Sequence, residues 1–220
     1  MNVQHLSEQE IIRREKLAEL NKLGIEAYPA ALYPVNTTSV FIKERYKGEE
    51  NKTDFEDVRI AGRLMSVRDM GKANFAVIQD AVGKIQIYIK QDDICPGEDK
   101  SMFQNVWRKL LDIGDIVGVK GYVFTTKTGE TSIHVKEFSL LTKSLHPLPI
   151  VKEKDGEAFD EVTDPEFRYR QRYADLIVNP GVKETFVKRT KMLNSIREYL
   201  NVRGALQVDT PVLHSIPGGA

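Results

Sequence analysis

Residues 58–142 constrain the fold most, because their hydrophobic pattern alternates as in β-strands and is interrupted once by a helical period. Three alternating runs come first, VRIAGRLMSVRDM, NFAVIQD and GKIQIYIK, and two follow later, IVGVKGYVF and SIHVKEFSLLT. Between the two groups the apolar residues fall at helical spacing: Phe103, Val106, Trp107, Leu110 and Leu111. Three strands, a helix and two strands is the element order of an OB-fold, a five-stranded Greek-key barrel. Another small antiparallel barrel stays open, because element order alone does not determine how a barrel closes.

The third strand has a clear inner and outer face. Gln86 and Tyr88 alternate with three isoleucines, so the isoleucines are predicted to face the core and Gln86 and Tyr88 to face outward. The inner face of the second strand is ambiguous, because apolar residues occupy both its odd-numbered and its even-numbered positions. Phe75 is therefore either a core residue or an exposed ring. OB-folds bind single-stranded nucleic acid by stacking bases on aromatic side chains, so nucleic-acid binding is one hypothesis for this barrel.

Helices are predicted on both sides of the barrel segment. Ser7 and Glu10 have capping-box spacing, and an apolar stripe that stops near Gly24 predicts a helix over about residues 8–23. Residues 36–57 indicate a short helix followed by a polar connector. A second stripe of about five turns predicts a long amphipathic helix over residues 183–203, followed by a short strand that contains Pro211.

Composition excludes several classes of protein. The 220 residues include 41% hydrophobic and 29% charged residues, which is typical of an ordinary globular protein. Because 32 Lys and Arg balance 32 Asp and Glu, a nucleic-acid partner would have to be held by a local patch of charge. A single cysteine, Cys95, and a first segment without an apolar signal core favour a cytoplasmic protein. No membrane span and no metal site are expected.

Several strings of residues in one order resemble the bacterial class II lysyl-tRNA synthetases. They are REKLAELNKLGIEAYP, MGKANFAVIQDAVGKIQIYI, TTKTGETSIHV, KSLHPLP, FRYRQRYADLI and VDTPVLHSIPGGA. The string FRYRQRYADL would also fit the aspartyl and asparaginyl relatives, but their version usually lacks the residue that stands here as Gln171. The resemblance extends over nearly the whole chain.

The resemblance implies that residues 58–142 are an OB-fold anticodon-binding domain. In that family the middle uridine of the anticodon is held by a stacked Phe, a Gln, an Arg and a Glu. These fall on Phe75, Gln86, Arg68 and Glu130 in this sequence. The resemblance therefore favours the exposed, stacking interpretation of Phe75.

Residues 183–213 resemble motif 1 of the class II synthetases, a long helix followed by a strand, with Gly204 and Pro211 at the expected spacing. The family uses this motif as a dimer interface, which would include Phe186, Leu193, Ile196 and Pro211. A helix packed within its own subunit is the alternative. The sequence departs from the family at Ala205, Gln207 and Asp209, where an aromatic residue and two Glu are usual. The family also places Gly218 and Gly219 beside bound lysine.

The expected fold is mainly β with flanking helices, followed by an incomplete α/β class II synthetase domain. The predicted domains are an N-terminal helical extension (1–57), the OB-fold (58–142), a linker and entry to the catalytic domain (143–182), and the motif 1 helix and strand (183–220). By resemblance the full-length enzyme attaches lysine to tRNA-Lys, uses ATP and Mg²⁺, and is a cytoplasmic homodimer without a membrane segment.

Motifs 2 and 3 of the family are not found in residues 1–220. A polypeptide of these residues is therefore expected to bind no ATP or Mg²⁺, to hold no catalytic residue and to be inactive. The alternative function is a stand-alone tRNA-binding or single-strand-binding OB module without catalysis.

Overall fold

A computed structural model describes residues 6–149, 152–154, 157–159, 164–179 and 181–211. Contacts between residues divide the chain into two units, Met1–Leu148 and Pro149–Ala220. The helices before residue 58 thus share one compact unit with the barrel. Within the described residues, no helix is long and apolar enough to cross a membrane.

Five strands of the first unit form a closed barrel, which confirms the predicted OB-fold. They are β1 (Val58–Asp69), β2 (Ala73–Gln79), β3 (Lys84–Lys90), β4 (Ile116–Thr125) and β5 (Thr131–Thr142). The strand order is β1-β2-β3-β5-β4, and β4 pairs with β1 to close the sheet. The β3–β5 pair is parallel and the other pairs are antiparallel. The alternative of a differently closed barrel is thereby excluded.

The barrel core contains the inward residues of every strand and is covered at one end by the predicted helix between β3 and β4. Ile85, Ile87 and Ile89 are fully buried, as their alternation predicts. The helix Met102–Leu110 is a π-helix, with a wider turn than the predicted α-helix, and its apolar face is buried. Trp107 from this helix packs edge-on against Phe138 of β5, with ring centroids 5.3 Å apart.

Two glycines allow close approaches within the barrel. Gly121 lies at a bulge in the β4–β5 pairing, and a Cβ atom there would collide with the carbonyl oxygen of His134. At Gly118 a Cβ atom would lie 2.6 Å from the ring of Tyr33, which packs across β4. Any larger residue at either position would displace backbone or a packed ring.

The N-terminal helices are α1 (Glu8–Lys22) and α2 (Ser39–Arg45), followed by a 3₁₀ segment, Gly48–Phe55. The predicted capping box is present, since the Ser7 hydroxyl accepts from the Glu10 amide and the Glu10 carboxylate accepts from the Ser7 amide. Arg13 of α1 donates to the backbone carbonyls of Ile113 and Ser144, each at 2.9 Å. These bonds fasten α1 to the barrel.

Asp80, in the turn between β2 and β3, fastens α2 to the barrel. Its Oδ2 accepts from the backbone amide of Ser39 at 2.6 Å, and its Oδ1 accepts from the Ser39 hydroxyl at 2.9 Å. The same carboxylate accepts from the amides of Val82 and Gly83. One side chain therefore joins the start of α2 to a barrel turn 41 residues further along the chain.

A buried ion cluster joins the end of β5 to the segment before β4. The Lys143 ammonium is fully buried and donates to Asp115 at 2.8 Å, to Asp112 at 2.6 Å and to the carbonyl of Leu110 at 2.8 Å. Lys16 of α1 also reaches Asp112, at 2.6 Å. Burial raises the pKa of Asp115, and Lys143 opposes this rise together with the backbone amides of Asp112 and Ser144, each of which donates to Asp115 at 2.8 Å. Lys143 supplies the compensating charge for this buried carboxylate. The cluster extends the first unit past residue 142.

The second unit contains short helices and one long one. Two short strands come first among its described residues, β6 (Lys152–Lys154) and β7 (Glu157–Phe159). Three described helices follow: α4 (Pro165–Arg170), α5 (Arg172–Val178) and α6 (Val182–Asn201). The remaining α-helix, α3 (Gln91–Ile94), has four residues and lies in the first unit, directly after β3. Asp175 accepts from Arg168, Arg172 and Asn179, which fastens α4 to α5. The long helix agrees with the sequence prediction.

The predicted strand after α6 is not formed in residues 205–211, which have no regular secondary structure. A strand needs a neighbouring strand to satisfy its backbone groups, and residues 205–211 pair with no strand among the described residues. The end of the predicted strand and the two glycines predicted beside bound lysine, Gly218 and Gly219, lie outside the described residues.

The ion cluster gives a stability prediction. Lys143→Met should lower the free energy of unfolding by about 3–5 kcal/mol, because it leaves a buried carboxylate without its cation. Lys120→Met is the matched control, since the Lys120–Glu137 pair is exposed and should contribute about 1 kcal/mol or less. Urea unfolding of both variants measures the difference. Equal losses would show that the cluster does not stabilise the unit as argued.

Asp80 gives a prediction about pH. Burial raises the pKa of Asp80, but hydrogen bonds from Ser39, Val82 and Gly83 lower it by more, so its pKa lies below the ordinary value. Because the pKa of Asp80 is lower in the folded chain than in the unfolded chain, where it is about 4, its ionised carboxylate stabilises the fold. This stabilisation is fully present above the unfolded pKa and is lost as the pH falls through the folded pKa. Asp80→Asn should therefore destabilise the chain at pH 7 and progressively less in acid, as measured by urea unfolding at several pH values. Asp54→Asn controls for loss of an exposed charge, and a pH-independent difference for Asp80→Asn would contradict the argument.

Candidate nucleic-acid interface

The outer face of the barrel is set by the inward residues of β2 and β3. On β2, Asn74, Ala76 and Ile78 are buried, so Phe75 lies on the outer face of the barrel. On β3, Gln86 and Tyr88 lie on the same outer face, as the strand pattern predicts. The sequence left the orientation of Phe75 open, and the structure decides it. Only one set of alternate residues on β2 can face the inside of the closed barrel, and Phe75 belongs to the other set.

Residues paired across neighbouring strands form two rows on this face. The tyrosine row runs through Arg68 on β1, Phe75 on β2, Tyr88 on β3, His134 on β5 and Tyr122 on β4. The glutamine row lies beside it and runs through Val77, Gln86, Ser132 and Phe124. Each row crosses the sheet at right angles to the strands. A single-stranded ligand that follows either row would meet several strands in turn.

Three of the predicted site residues come together in these rows. Arg68 is exposed and lies directly opposite Phe75. The rings of Phe75 and Tyr88 are 4.9 Å apart at centroid and tilted by 44°. Gln86 follows in the next row, and its Nε2 donates to the Ser132 hydroxyl at 2.9 Å, which orients the amide group.

Glu130, the fourth predicted residue, is exposed in the turn between β4 and β5, two positions before Ser132. Its backbone amide donates to the Thr126 hydroxyl at 3.0 Å, and Gly129 supplies the positive φ that this turn requires. The Glu130 carboxylate lies 3.4 Å from the ammonium of Lys43 on α2. Glu130 therefore lies beside Ser132 of the glutamine row, and Lys43 of α2 lies beside it.

Three further rings on this face received no role from the sequence. Tyr122, Phe124 and His134 join Phe75 and Tyr88, and these five rings are called the aromatic surface here. The rings of Tyr122 and His134 are stacked with centroids 4.8 Å apart, and His134 meets Tyr88 edge-on at 5.0 Å. A sequence signal did exist, since Tyr122 and Phe124 flank the buried Val123 and His134 lies between two buried residues.

Hydrogen bonds hold the centre of the aromatic surface in place. His134 Nε2 lies 2.7 Å from Asp93 Oδ2, and its Nδ1 lies 2.9 Å from the Tyr122 hydroxyl. Burial raises the pKa of Asp93, but hydrogen bonds from His134 and Lys136 lower it by more, so Asp93 is ionised at neutral pH. The Nε2–H group of His134 therefore donates to the Asp93 carboxylate, and in the neutral ring Nδ1 accepts from the Tyr122 hydroxyl. Both ring nitrogens are engaged, which fixes the orientation of His134.

The residues predicted for a dimer interface lie in the second unit. Phe186, Leu193 and Ile196 are on α6, and Phe186 and Ile196 are 41% and 52% exposed. Phe186 contacts the guanidinium of Arg172 at 5.4 Å from its ring centroid. Pro211 is also exposed. An apolar face of α6 is thus accessible within its own unit.

Comparisons with known proteins agree with this geometry. Residues 58–141 match the family model of an OB-fold nucleic acid binding domain, and residues 164–220 match that of the class II tRNA synthetases (D, K and N). Over all 220 residues the chain is 59% identical to a lysine–tRNA ligase of Porphyromonas gingivalis and covers 38% of that protein. It is 55% identical to the lysine–tRNA ligase of Azobacteroides pseudotrichonymphae over 215 residues, which are 98% of this chain and 42% of that protein.

A third relative is the lysine–tRNA ligase of Thermoanaerobacter pseudethanolicus, which is 50% identical over the whole chain, corresponding to 40% of its own length. The chain thus spans about two fifths of the length of the curated relatives it matches. The matches extend along the entire chain and include both a nucleic-acid-binding domain and a synthetase segment. The chain is a homologue of lysine–tRNA ligases, with an OB-fold nucleic acid binding domain followed by a class II synthetase segment.

Proposed function

We propose that this chain supplies the tRNA-binding part of a lysine–tRNA ligase, which attaches lysine to tRNA-Lys with ATP, and that the outer face of its barrel binds the anticodon. The observation that carries the proposal is the convergence of Arg68, Phe75 and Gln86 on neighbouring strands of one exposed face. The whole-length similarity to lysine–tRNA ligases supports the identity of the tRNA. Such an enzyme would act in the cytoplasm.

The chemistry of these side chains suits a uridine. The Phe75 ring offers a flat apolar face, on which a base can stack. A Gln amide presents both a donor and an acceptor, so Gln86 can donate to the O4 atom of uracil and accept from its N3–H group. Cytosine has the opposite pattern at these positions and would oppose donor to donor. The Arg68 guanidinium, next to Phe75, adds a cation for the RNA backbone.

Glu130 extends this site through its pairing with Lys43. Its carboxylate can accept from a base, while the ammonium of Lys43 can move to a phosphate of the bound RNA. Both side chains are about half exposed, so exchanging partners costs little. We propose that the Lys43–Glu130 pair opens when RNA binds.

The alternative, a stand-alone single-strand-binding module, accounts for the barrel alone. It gives no reason for the synthetase segment of residues 164–220. The ligase proposal accounts for both parts of the chain. We also propose that α6 contributes to a homodimer through Phe186, Leu193, Ile196 and the following Pro211, because its exposed apolar side chains would be covered there.

The chemistry of lysine activation is not assigned to these residues. The sequence holds motif 1 of the family pattern and neither of the two later motifs, so we propose that a polypeptide of residues 1–220 is inactive by itself. The described residues contain no cluster of three or more His, Cys, Asp or Glu that could hold Mg²⁺. The similarity to lysine–tRNA ligases supports the proposal that the full-length enzyme uses ATP, Mg²⁺ and lysine.

Removal of the Phe75 ring tests stacking. Phe75→Ala should weaken binding of an anticodon stem-loop with the sequence UUU by about 1–3 kcal/mol, the usual effect of losing a base–aromatic contact. The measurement is fluorescence anisotropy at fixed salt, because phosphate contacts depend on ionic strength. Leu32→Ala removes another exposed apolar side chain, away from the two rows, and should have no effect. Unchanged RNA binding by a folded Phe75→Ala variant would refute the stacking role.

Gln86 is expected to control base identity. Gln86→Ala should reduce the preference for a UUU over a UCU stem-loop, because the amide discriminates by hydrogen-bond pattern and the ring does not. The ratio of the two dissociation constants is the measurement. Gln104→Ala is the matched control, since Gln104 is exposed on the helix Met102–Leu110 and belongs to neither row. A preserved ratio in the Gln86 variant would show that another group reads the base.

A further inference from the structure

Phe124 lies too far along the glutamine row to contact the base proposed at Phe75 and Gln86. Within that row Ser132 stands between Gln86 and Phe124, so Phe124 is two strands away from Gln86. Neighbouring strands are about 4.8 Å apart, which places Phe124 about 10 Å from Gln86 across the sheet. A base at Phe124 would therefore belong to a different nucleotide from the one proposed at Phe75 and Gln86.

Core packing does not explain the position of Phe124. Its neighbour Val123 faces the core and is fully buried, which directs Phe124 to the outer face. The described ring contacts of Phe124 are with Tyr88 at 6.0 Å, His134 at 5.7 Å and Tyr122 at 6.5 Å, all of them in the aromatic surface. A phenylalanine side chain cannot hydrogen-bond to water. An outward ring beside other rings is therefore suited to contact with a flat apolar ligand.

A cation beside Tyr122 favours a nucleotide as that ligand. The Lys136 ammonium is 5.7 Å from the centroid of the Tyr122 ring, and its side chain is 46% exposed. It lies 3.2 Å from Asp93, whose other oxygen meets His134, so Lys136 is held at the rim of the aromatic surface. A cation at the rim of an aromatic surface matches the phosphate and base of one nucleotide.

We propose that Phe124 and Tyr122 form a second nucleotide subsite, which stacks a base of the anticodon loop other than the base held at Phe75. Lys136 binds the phosphate of that nucleotide, and His134 is the positioning residue that holds Tyr122. The subsite is continuous with the first one through Tyr88. This inference rests on the proposed function, because it extends the RNA surface proposed there to the strands β4 and β5.

The test combines protein variants with abasic RNA. Phe124→Ala and Phe124→Leu are made in the whole chain, the second keeping apolar volume but removing the flat ring. Each is titrated with a UUU anticodon stem-loop and with stem-loops in which one loop nucleotide at a time is abasic. Both variants should bind the intact stem-loop roughly 5- to 100-fold more weakly. This loss should disappear when one particular nucleotide, different from the middle anticodon base, is abasic.

If the unmodified chain binds the stem-loop, any of three results would overturn the proposed subsite. One is a loss below twofold for both folded variants, and the second is the same loss with every abasic RNA. The third is a loss that disappears only when the middle anticodon base is abasic, because the two rings would then share one base. If Phe75→Ala has no effect while the Phe124 variants behave as expected, the anticodon assignment of Phe75 fails and the subsite stands.

A second probe separates the subsite from anticodon recognition. If the stem-loop does not bind, a ten-nucleotide oligouridine replaces it, and the Phe124 variants should bind this RNA roughly 5- to 100-fold more weakly. That result would reject the anticodon function and keep the nucleotide subsite, whereas a loss below twofold would reject the subsite. Failure of the unmodified chain to bind either RNA would overturn both proposals.

Discussion

Closure of the barrel by the β1–β4 pairing is the constraint on which the rest of the first unit depends. In an open sheet, a strand with apolar residues at both parities can bury either face. In the closed barrel only one face is inside, and it is already occupied by Ala76, Ile78 and their partners. Phe75 must then lie outside, and the register of β2 with β1 and β3 places it between Arg68 and Tyr88. The candidate site is thus a consequence of how the barrel closes.

The fold could be predicted largely from the sequence because its signals are local. Alternation along each strand, the helical period of Met102–Leu110 and the capping box at Ser7 each depend on residues close together in the chain. The strand after α6 shows the limit of this approach, since residues 205–211 form no strand in spite of their apolar pattern. Strand formation depends on a partner, and a local pattern carries no information about one.

The candidate site could be predicted only in part from residues, for the same reason. The alternation of β3 places Gln86 and Tyr88 outside, but the parity of β2 is ambiguous and resemblance alone favoured an exposed Phe75. His134 was not assigned a role, because its contacts come from Asp93, 41 residues earlier, and from Tyr122 on another strand. The roles of Arg68, Phe75, Gln86 and Glu130 in binding RNA stay predictions that the measurements above can decide.

The N-terminal helices contribute to the candidate site although they lie outside the barrel. Asp80 fixes the first residue of α2 to the turn between β2 and β3, and this bond limits where the rest of the helix can lie. Lys43, one turn later, is thereby brought within 3.4 Å of Glu130, in the β4–β5 turn at the same end of the barrel. A carboxylate repels a polyanion, and the nearby ammonium of Lys43 offsets this repulsion at the surface where RNA binding is proposed. The sequence boundary at residue 58 therefore separates two segments that are in contact at the candidate site.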